Sequence, residues 1–146
     1  MLQGMGNTGP LFLIADNHTC DVRSTKWQLE RLLGTNIEVI TGQNGEDAIK
    51  LFDEVVSSGN HDRLMAVFVG CHMPKLSGHQ AAALMRNIER ENNISRPVAI
   101  IGTTTYLNNV THAEFIEAGA NAVLEKPVAE GELEVLITAI IEDVNL

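Results

Sequence analysis

Residues 64–88 read LMAVFVGCHMPKLSGHQAAALMRNI and contain the pattern that decides the fold. An unbroken apolar run from Leu64 to Val69 favours a strand that is buried on both faces. Pro74 and Gly78 then mark a loop. Beyond the loop, apolar residues return at helical spacing, at Ala81, Leu84, Met85 and Ile88. A doubly buried strand followed by an amphipathic helix is typical of a parallel sheet covered by helices.

The same strand–helix unit recurs on both sides of this stretch. Strands are predicted at residues 11–15, 36–41, 64–69, 98–102 and 121–124, each followed by a helical pattern. The fourth helix is predicted near 111–118, because Thr111 and Glu114 have the spacing of a capping box. Strands one, three and four are apolar on both faces and should be central, whereas strand two alternates and suits an edge. We therefore predict a doubly wound α/β domain, flavodoxin-like, with five parallel strands in the order 2-1-3-4-5 and five helices.

Length and composition limit the class of protein. The 146 residues suit one domain, which we place at residues 10–146, and residues 1–9 (MLQGMGNTG) are interpreted as a flexible leader or a cloning remnant. The net charge of −9 disfavours binding to nucleic acid or to a membrane surface. The sequence contains no apolar run of membrane-spanning length and no signal-peptide pattern. Two cysteines, Cys20 and Cys71, are too few for a disulfide scaffold, so we expect a cytoplasmic location.

Four motifs lie at the carboxyl ends of predicted strands, where a doubly wound sheet forms its site. They are LFLIADN (11–17), CHMPKLSG (71–78), IIGTTT (100–105) and LEKPV (124–128). In this order and spacing they resemble the receiver domain of two-component response regulators, including the receivers of hybrid histidine kinases. The resemblance covers nearly all of the chain from Leu11 onward. It implies a site in which an aspartate after strand three accepts a phosphoryl group.

The chemistry of a working receiver requires a defined set of side chains. An acidic pair after strand one holds Mg²⁺, and a hydroxyl after strand four and a lysine after strand five bind the phosphoryl oxygens. By resemblance, the acidic pair corresponds to Ala15 and Asp16, and the acceptor corresponds to Gly70. The hydroxyl corresponds to Thr104, although a shift of one residue would place it on Thr103 or Thr105. The Lys-Pro pair, with its cis peptide, corresponds to Lys126 and Pro127. Val123 stands where the family has an aromatic switch residue.

This match predicts a degenerate site, that is, a pseudo-receiver. Gly70 has no carboxylate to phosphorylate, and Asp16 is the only remaining candidate ligand for a metal that depends on anionic oxygens. We therefore expect Mg²⁺ binding to be weak or absent, no cofactor, and no catalytic activity of the domain itself. We expect a direct or water-bridged ion pair between Lys126 and Asp16 to hold the domain in one conformation instead.

The expected function is signalling by protein–protein contact, independent of phosphorylation, in or beside a phosphorelay. The resemblance implies a protein partner such as a histidine kinase, a phosphotransfer protein or a downstream regulator, and the parent chain could be a hybrid histidine kinase. The expected contact surface is formed by the fourth helix, fifth strand and fifth helix, and includes Val110, Phe115 and Val123. A homodimer through the same face stays open, as does a place for Phe115 in the core.

Three alternatives stay open at this point. A receiver could still accept a phosphoryl group at an atypical residue, either Asp16 or one of the threonines. A transition metal could be bound by Asp16, His18, Cys71 and His72, which follow two neighbouring strands. Residues 16–18 also resemble the start of a cobalamin-binding loop, although Asp21 stands in place of its glycine. A flavin is less favoured, because the loop after strand one has no glycine-rich phosphate cradle.

Overall fold

The computed structural model describes residues 9–144, so the predicted leader lies outside the described residues except for Gly9. The strands are β1 (Leu11–Ala15), β2 (Glu38–Gly42), β3 (Leu64–Gly70), β4 (Ala99–Thr104) and β5 (Ala122–Glu125). The helices are α1 (Thr19–Leu33), α2 (Gly45–Ser57), α3 (Gly78–Glu91), α4 (Asn109–Ala118) and α5 (Glu130–Val144), and a short 3₁₀ turn spans His61–Arg63. Strands and helices alternate along the chain, as the sequence predicts.

The five strands form one parallel sheet in the order β2-β1-β3-β4-β5. The predicted fold class and strand order are therefore confirmed. The burial of the strands explains the order, because every residue of β1 is buried while β2 is mostly half-buried. β2 accordingly lies at one edge of the sheet and the doubly apolar β1, β3 and β4 are interior.

Helices cover the sheet on both faces and divide the core in two. On one face, α2, α3 and α4 pack over a cluster that includes Phe52, Met85 and Phe115. On the other face, α1 and α5 pack over a cluster that includes Leu29 and Leu133. Both layers leave the carboxyl ends of the strands at a common edge, where loops can bring polar side chains together. Within residues 9–144, no helix is long and apolar enough to cross a membrane.

The structure corrects the predicted role of Phe115. Helix α4 begins before Thr111, because the side chain of Asn108 caps it by accepting a hydrogen bond from the Thr111 amide at 2.9 Å. Phe115 then points into the core and is fully buried. Its ring lies against Gly102 of β4 and Gly78 of α3, where a Cβ atom would come within 2.7 and 2.8 Å of the ring. The expectation that Phe115 contacts a partner is therefore wrong.

Val123 is also removed from the predicted contact surface. It lies in β5, is buried, and belongs to the same core cluster as Phe115. Val110, in the first turn of α4, is 68% exposed, and Tyr106 in the preceding loop is 71% exposed. Ile116 of α4 and Val135 of α5 are exposed as well, so the exposed apolar residues on this side of the molecule lie on the two helices and the loop before α4, and not along β5.

Candidate functional site

The carboxyl ends of four strands bring the predicted site residues to one edge of the sheet. Asp16 follows β1, Gly70 ends β3, Thr104 ends β4 and Lys126 follows β5. The amide of Lys126 donates to the carbonyl of Thr104 at 2.6 Å, which extends the β4–β5 pairing to the site. The Lys126–Pro127 peptide is cis, as the resemblance implies. Ala15, which ends β1, is buried and presents only a methyl group.

The ammonium group of Lys126 lies between two carboxylates. Its Nζ atom is 2.7 Å from Oδ2 of Asp16 and 3.0 Å from Oδ2 of Asp21. The Lys126 side chain is 10% exposed and that of Asp16 only 4%, while Asp21 is 35% exposed. We call these three residues the Lys126 ion cluster. The predicted pair is thus a direct contact, and Asp21, in the first turn of α1, is a partner that the sequence reasoning missed.

The charges of the cluster determine the protonation of its lysine. Burial alone would lower the pKa of Lys126. The hydrogen bonds and charges of Asp16 and Asp21 outweigh burial and raise the pKa above its ordinary value. Lys126 is therefore a fixed cation at neutral pH, bonded to two anions.

The carboxylate of Asp16 lies in the space that a side chain at position 70 would need. A Cβ atom placed on Gly70 would be 2.8 Å from Oδ2 and 2.9 Å from Cγ of Asp16. Contacts this short do not occur between well-packed atoms. Any other residue at position 70 would have to displace the Asp16 carboxylate from its present place beside Lys126.

The second oxygen of Asp16 is held by the residue that precedes α1. Oδ1 accepts from the main-chain amide of His18 at 3.1 Å and lies 3.3 Å from the ring Nδ1 of His18. Both carboxylate oxygens of Asp16 are therefore engaged, one by Lys126 and one by His18. These contacts fix the orientation of a nearly inaccessible anion.

The predicted metal ligands are not all brought together. Oxygen and nitrogen atoms of Asp16, His18 and Asp21 lie within 4.8 Å of one another. His72 is exposed on the loop after β3, and Cys71 is buried beside Thr104. Burial, opposed by the Thr104 hydrogen bond, raises the pKa of the Cys71 thiol, which disfavours the thiolate that a metal requires. The set that converges is thus two carboxylates and an exposed histidine, with Lys126 bonded to both carboxylates.

The hydroxyl groups after β4 are directed to main-chain groups. Thr104 is buried, and its Oγ1 accepts from the amide of Tyr106 at 3.3 Å. Thr103 donates from its Oγ1 to the carbonyl of Val69 at 3.4 Å. Thr105 is exposed. The position of the Tyr106 backbone, and with it the exposed Tyr106 ring, is therefore tied to the Thr104 hydroxyl at the site.

The residues at the predicted ligand positions do not supply the donors of a magnesium site. Mg²⁺ needs an octahedron of oxygen ligands, and the resemblance implies carboxylates for it after strands one and three. Here Ala15 and Gly70 supply none, and the Asp16 oxygen nearest to Gly70 is bonded to an ammonium group. The space beside the ion cluster is a small cavity of about 30 Å³, which is large enough to admit water.

The doubly wound fold and the polar residues at its strand ends define the class of protein as a response-regulator-like signalling domain. The family model "Response regulator receiver domain" matches residues 12–138. The chain therefore belongs to the receiver domain family of two-component signalling.

Two curated relatives place the chain among two-component proteins. It is 28% identical over 121 residues to the peroxide stress-activated histidine kinase mak2 of Schizosaccharomyces pombe, a match that covers 83% of this chain and 5% of the kinase. It is 33% identical over 101 residues to two-component response regulator 24 of Arabidopsis thaliana, which covers 69% of this chain and 63% of that protein. The chain thus spans less than two thirds of either relative.

Solved structures share the fold at low sequence identity. A mutant of the receiver domain of the histidine kinase CKI1 from Arabidopsis thaliana has a TM-score of 0.74 at 22% identity, covering 97% of this chain and 92% of that chain. The co-crystal structure of the Saccharomyces cerevisiae phosphotransfer protein Ypd1 with the receiver domain of Ssk1 gives a TM-score of 0.74 at 24% identity, covering 89% and 87%. These similarities establish the CheY-like fold.

Proposed function

We propose that this chain is a pseudo-receiver: a receiver domain without a phosphoryl acceptor, which signals by protein–protein contact in or beside a phosphorelay. The observation that carries the proposal is the Asp16 carboxylate, which takes up the space of a side chain at position 70 while it is bonded to Lys126. In this assignment Gly70 stands at the acceptor position, so the nucleophile of the phosphotransfer reaction is missing. The domain itself then has no catalytic activity.

The Lys126 ion cluster takes the place of metal and phosphoryl group in this proposal. Mg²⁺ would have to displace an ammonium group that already contacts two carboxylates, so Mg²⁺ binding is weak or absent. The cluster also holds the ends of β1 and β5 and the start of α1 together without a ligand. One conformation of the site is thereby stabilised by the chain itself.

The surface that we propose for partner contact is the start of α4 with the preceding loop. Tyr106 and Val110 are both more than two-thirds exposed there, and aromatic side chains such as that of Tyr106 are enriched at interfaces. Tyr106 is also connected to the site, since its amide donates to Thr104. The proposed partner is a cytoplasmic histidine kinase, phosphotransfer protein or downstream regulator, or a second copy of this chain. The parent protein could be a hybrid histidine kinase.

The first experiment is an amide NMR titration with Mg²⁺ and then beryllofluoride, which mimics a phosphoryl group on aspartate. We expect no saturable shift at Asp16, Gly70, Thr104 or Lys126. Asp16→Asn is the matched control, because shifts that persist in this variant come from acidic surface groups. Saturable shifts that Asp16→Asn removes, or a phosphoryl adduct found by mass spectrometry after incubation with acetyl phosphate, would refute the proposal.

The contact surface can be tested by exchanging one exposed apolar residue for a charge. Light scattering after size exclusion measures self-association, and calorimetry measures binding to a purified phosphotransfer protein. We expect Val110→Glu to weaken whichever association the wild-type chain shows, while Trp27→Glu, at a 56% exposed position on α1, leaves it unchanged. An equal loss in both variants would show that α4 is not the contact surface.

A further inference from the structure

A second concave site lies at the opposite edge of the sheet, at the amino ends of the strands. It is a cleft of about 320 Å³ between the starts of β3 and β4, the turn before β5 and the last part of α5. This volume is at the lower end of the range of about 300–1,000 Å³ found for small-molecule pockets. Its apolar wall includes Met65, Ala99, Leu136 and Ile140.

One polar corner of the cleft is formed by His61 and Asp62. The His61 ring lines the cleft, and its Nε2 lies 3.0 Å from Oε2 of Glu89. Burial favours protonation of Glu89, but the hydrogen bonds from His61, Val98 and Arg86 outweigh it and lower the pKa of this carboxyl. A carboxylate only accepts, so Nε2 of His61 carries a proton and donates it to Glu89, which orients the ring. The neighbouring Asp62 adds a carboxylate at the rim.

The opposite corner carries hydrogen-bond donors. Oδ1 of Asn121 accepts from the Ile100 amide at 2.8 Å and from Arg86 at 2.9 Å, which orients its amide group. The Nδ2 donor of Asn121 and the guanidinium of Arg96 have no partner in the described part of the chain, and both residues line the cleft. The cleft thus has a carboxylate acceptor contributed by residue 62, donors contributed by residues 96 and 121, and an apolar wall.

We propose that this cleft binds a zwitterion with an apolar side chain, of the class of the aliphatic α-amino acids. The ammonium group would contact Asp62, the carboxylate would contact Arg96 and Asn121, and the side chain would pack against α5. A ligand with one charge would be attracted by one rim residue and repelled by the other, since the rim carries one cation and one anion. The inference concerns the edge remote from Asp16 and does not depend on the proposed function.

The wall of the cleft is connected to helix α4. Arg86 donates to Glu89 at 2.7 Å and to Asn121. It also donates at 3.0 Å to the carbonyl of Gly119, the C-cap residue that follows α4. A ligand held by Asn121 therefore contacts a network that reaches the α4–β5 turn. Binding should be visible at Gly119 as well as in the cleft.

The experiment is an amide NMR titration of the 146-residue chain with L-leucine. Two matched compounds each lack one charge: 4-methylpentanoate has no ammonium and isopentylamine has no carboxylate. We expect saturable shifts at Asp62, Ala99, Gly119 and Asn121 with L-leucine, with a dissociation constant of about 1 mM, and weaker binding of both matched compounds. Absence of saturable shifts with L-leucine, or equal binding of the three compounds, would overturn the proposal.

Variants test the assignment of the two charges. Asp62→Asn and Arg96→Gln should each weaken L-leucine binding about two- to fivefold, as for ion pairs at a partly exposed rim. Asp53→Asn and Arg23→Gln change exposed charges on α2 and α1, outside the cleft, and should leave the dissociation constant unchanged. Ala139→Phe places a ring at the cleft wall and should abolish binding in a folded protein. Unchanged binding in Ala139→Phe would place the ligand elsewhere and refute the assignment.

Discussion

The Lys126 ion cluster can be tested by removing its cation, in the variant Lys126→Met. The substitution keeps most of the aliphatic side chain but leaves Asp16, which is 4% exposed, without its ammonium partner. Breaking a buried pair in this way costs about 3–5 kcal/mol. Asp16 keeps the main-chain amide of His18 as a donor, and Asp21 is exposed enough to be hydrated, so we expect the lower end, about 3 kcal/mol.

Urea denaturation measures this loss directly. With an m value of about 2 kcal/mol/M, a loss of about 3 kcal/mol lowers the midpoint by about 1.5 M. Lys75→Met is the matched control, because Lys75 forms an ion pair with Glu46 in which both side chains are more than half exposed. Such surface pairs contribute about 0–1 kcal/mol. If the two variants lost the same small amount, the cluster would not stabilise the site and the reasoning would be refuted.

The sign of the pH dependence follows from the raised pKa of Lys126. A group whose pKa is higher in the folded state stabilises the fold below its unfolded pKa and loses this contribution as pH rises through the folded pKa. The unfolded value is about 10.5, so the stability difference between wild type and Lys126→Met should be constant near neutral pH. It should shrink only above pH about 10.5.

Three further predictions concern other parts of the molecule. Gly70→Ala should lower the free energy of unfolding, measured in urea, by about 1–3 kcal/mol, since the added Cβ meets the Asp16 carboxylate. The loss should be smaller in an Asp16→Ala background, and equal losses in both backgrounds would contradict this reasoning. In Glu89→Gln, the melting temperature should fall less steeply than in the wild type as the pH drops below about 4.5. The reason is that ionised Glu89, whose pKa is lowered in the fold, stabilises the wild type above the ordinary pKa and loses this contribution on acidification. Phe115→Ala should cost about 3–5 kcal/mol by calorimetry, whereas a loss below about 1 kcal/mol would mean that the ring is not in the core.

The fold was predictable because a strand that is buried on both faces has apolar residues at consecutive positions. Strands β1 and β3 contain unbroken apolar runs, and only a position between two layers of helices buries both faces of such a strand. The alternation in β2 indicated its place at the edge for the same reason. The predicted ends of the strands were less accurate. Strand β4 extends to Thr104 because its last residues, although polar, are buried at the site.

The error at Phe115 arose from a short helix whose pattern is ambiguous. Only one side chain of α4, Phe115 itself, is buried, so apolar spacing alone could not assign the inner face. The decisive signal was in another segment, at Gly102. A glycine inside a strand often marks a close approach by another part of the chain, and here the Phe115 ring occupies that space.

The site was predictable only in part, because its contacts join distant segments. The Lys126–Asp16 pair followed from the motif positions, since both residues lie at strand ends. In the sequence, Asp21 stands out only because it replaces the glycine of a cobalamin-binding loop. Its spacing of five residues from Asp16 places it on the first turn of α1, facing the same edge, but that depends on where the helix begins. The cap position, His18, makes no side-chain cap hydrogen bond and gave little indication of that point.

The charges at the strand ends explain why a phosphorelay input would be disfavoured at this site. Asp16 and Asp21 contribute two negative charges and Lys126 one positive charge, so the cluster has a net charge of −1. A phosphoryl group would add about two negative charges beside Asp16, which is nearly buried and already fully engaged. A divalent cation would offset them only by displacing Lys126, whose ammonium group would then lose both anionic partners. Under the proposed function neither ligand enters without breaking the cluster, and we expect a change in state of this domain to begin at its surface. The exposed Tyr106, whose amide is bonded to Thr104, connects that surface to the site.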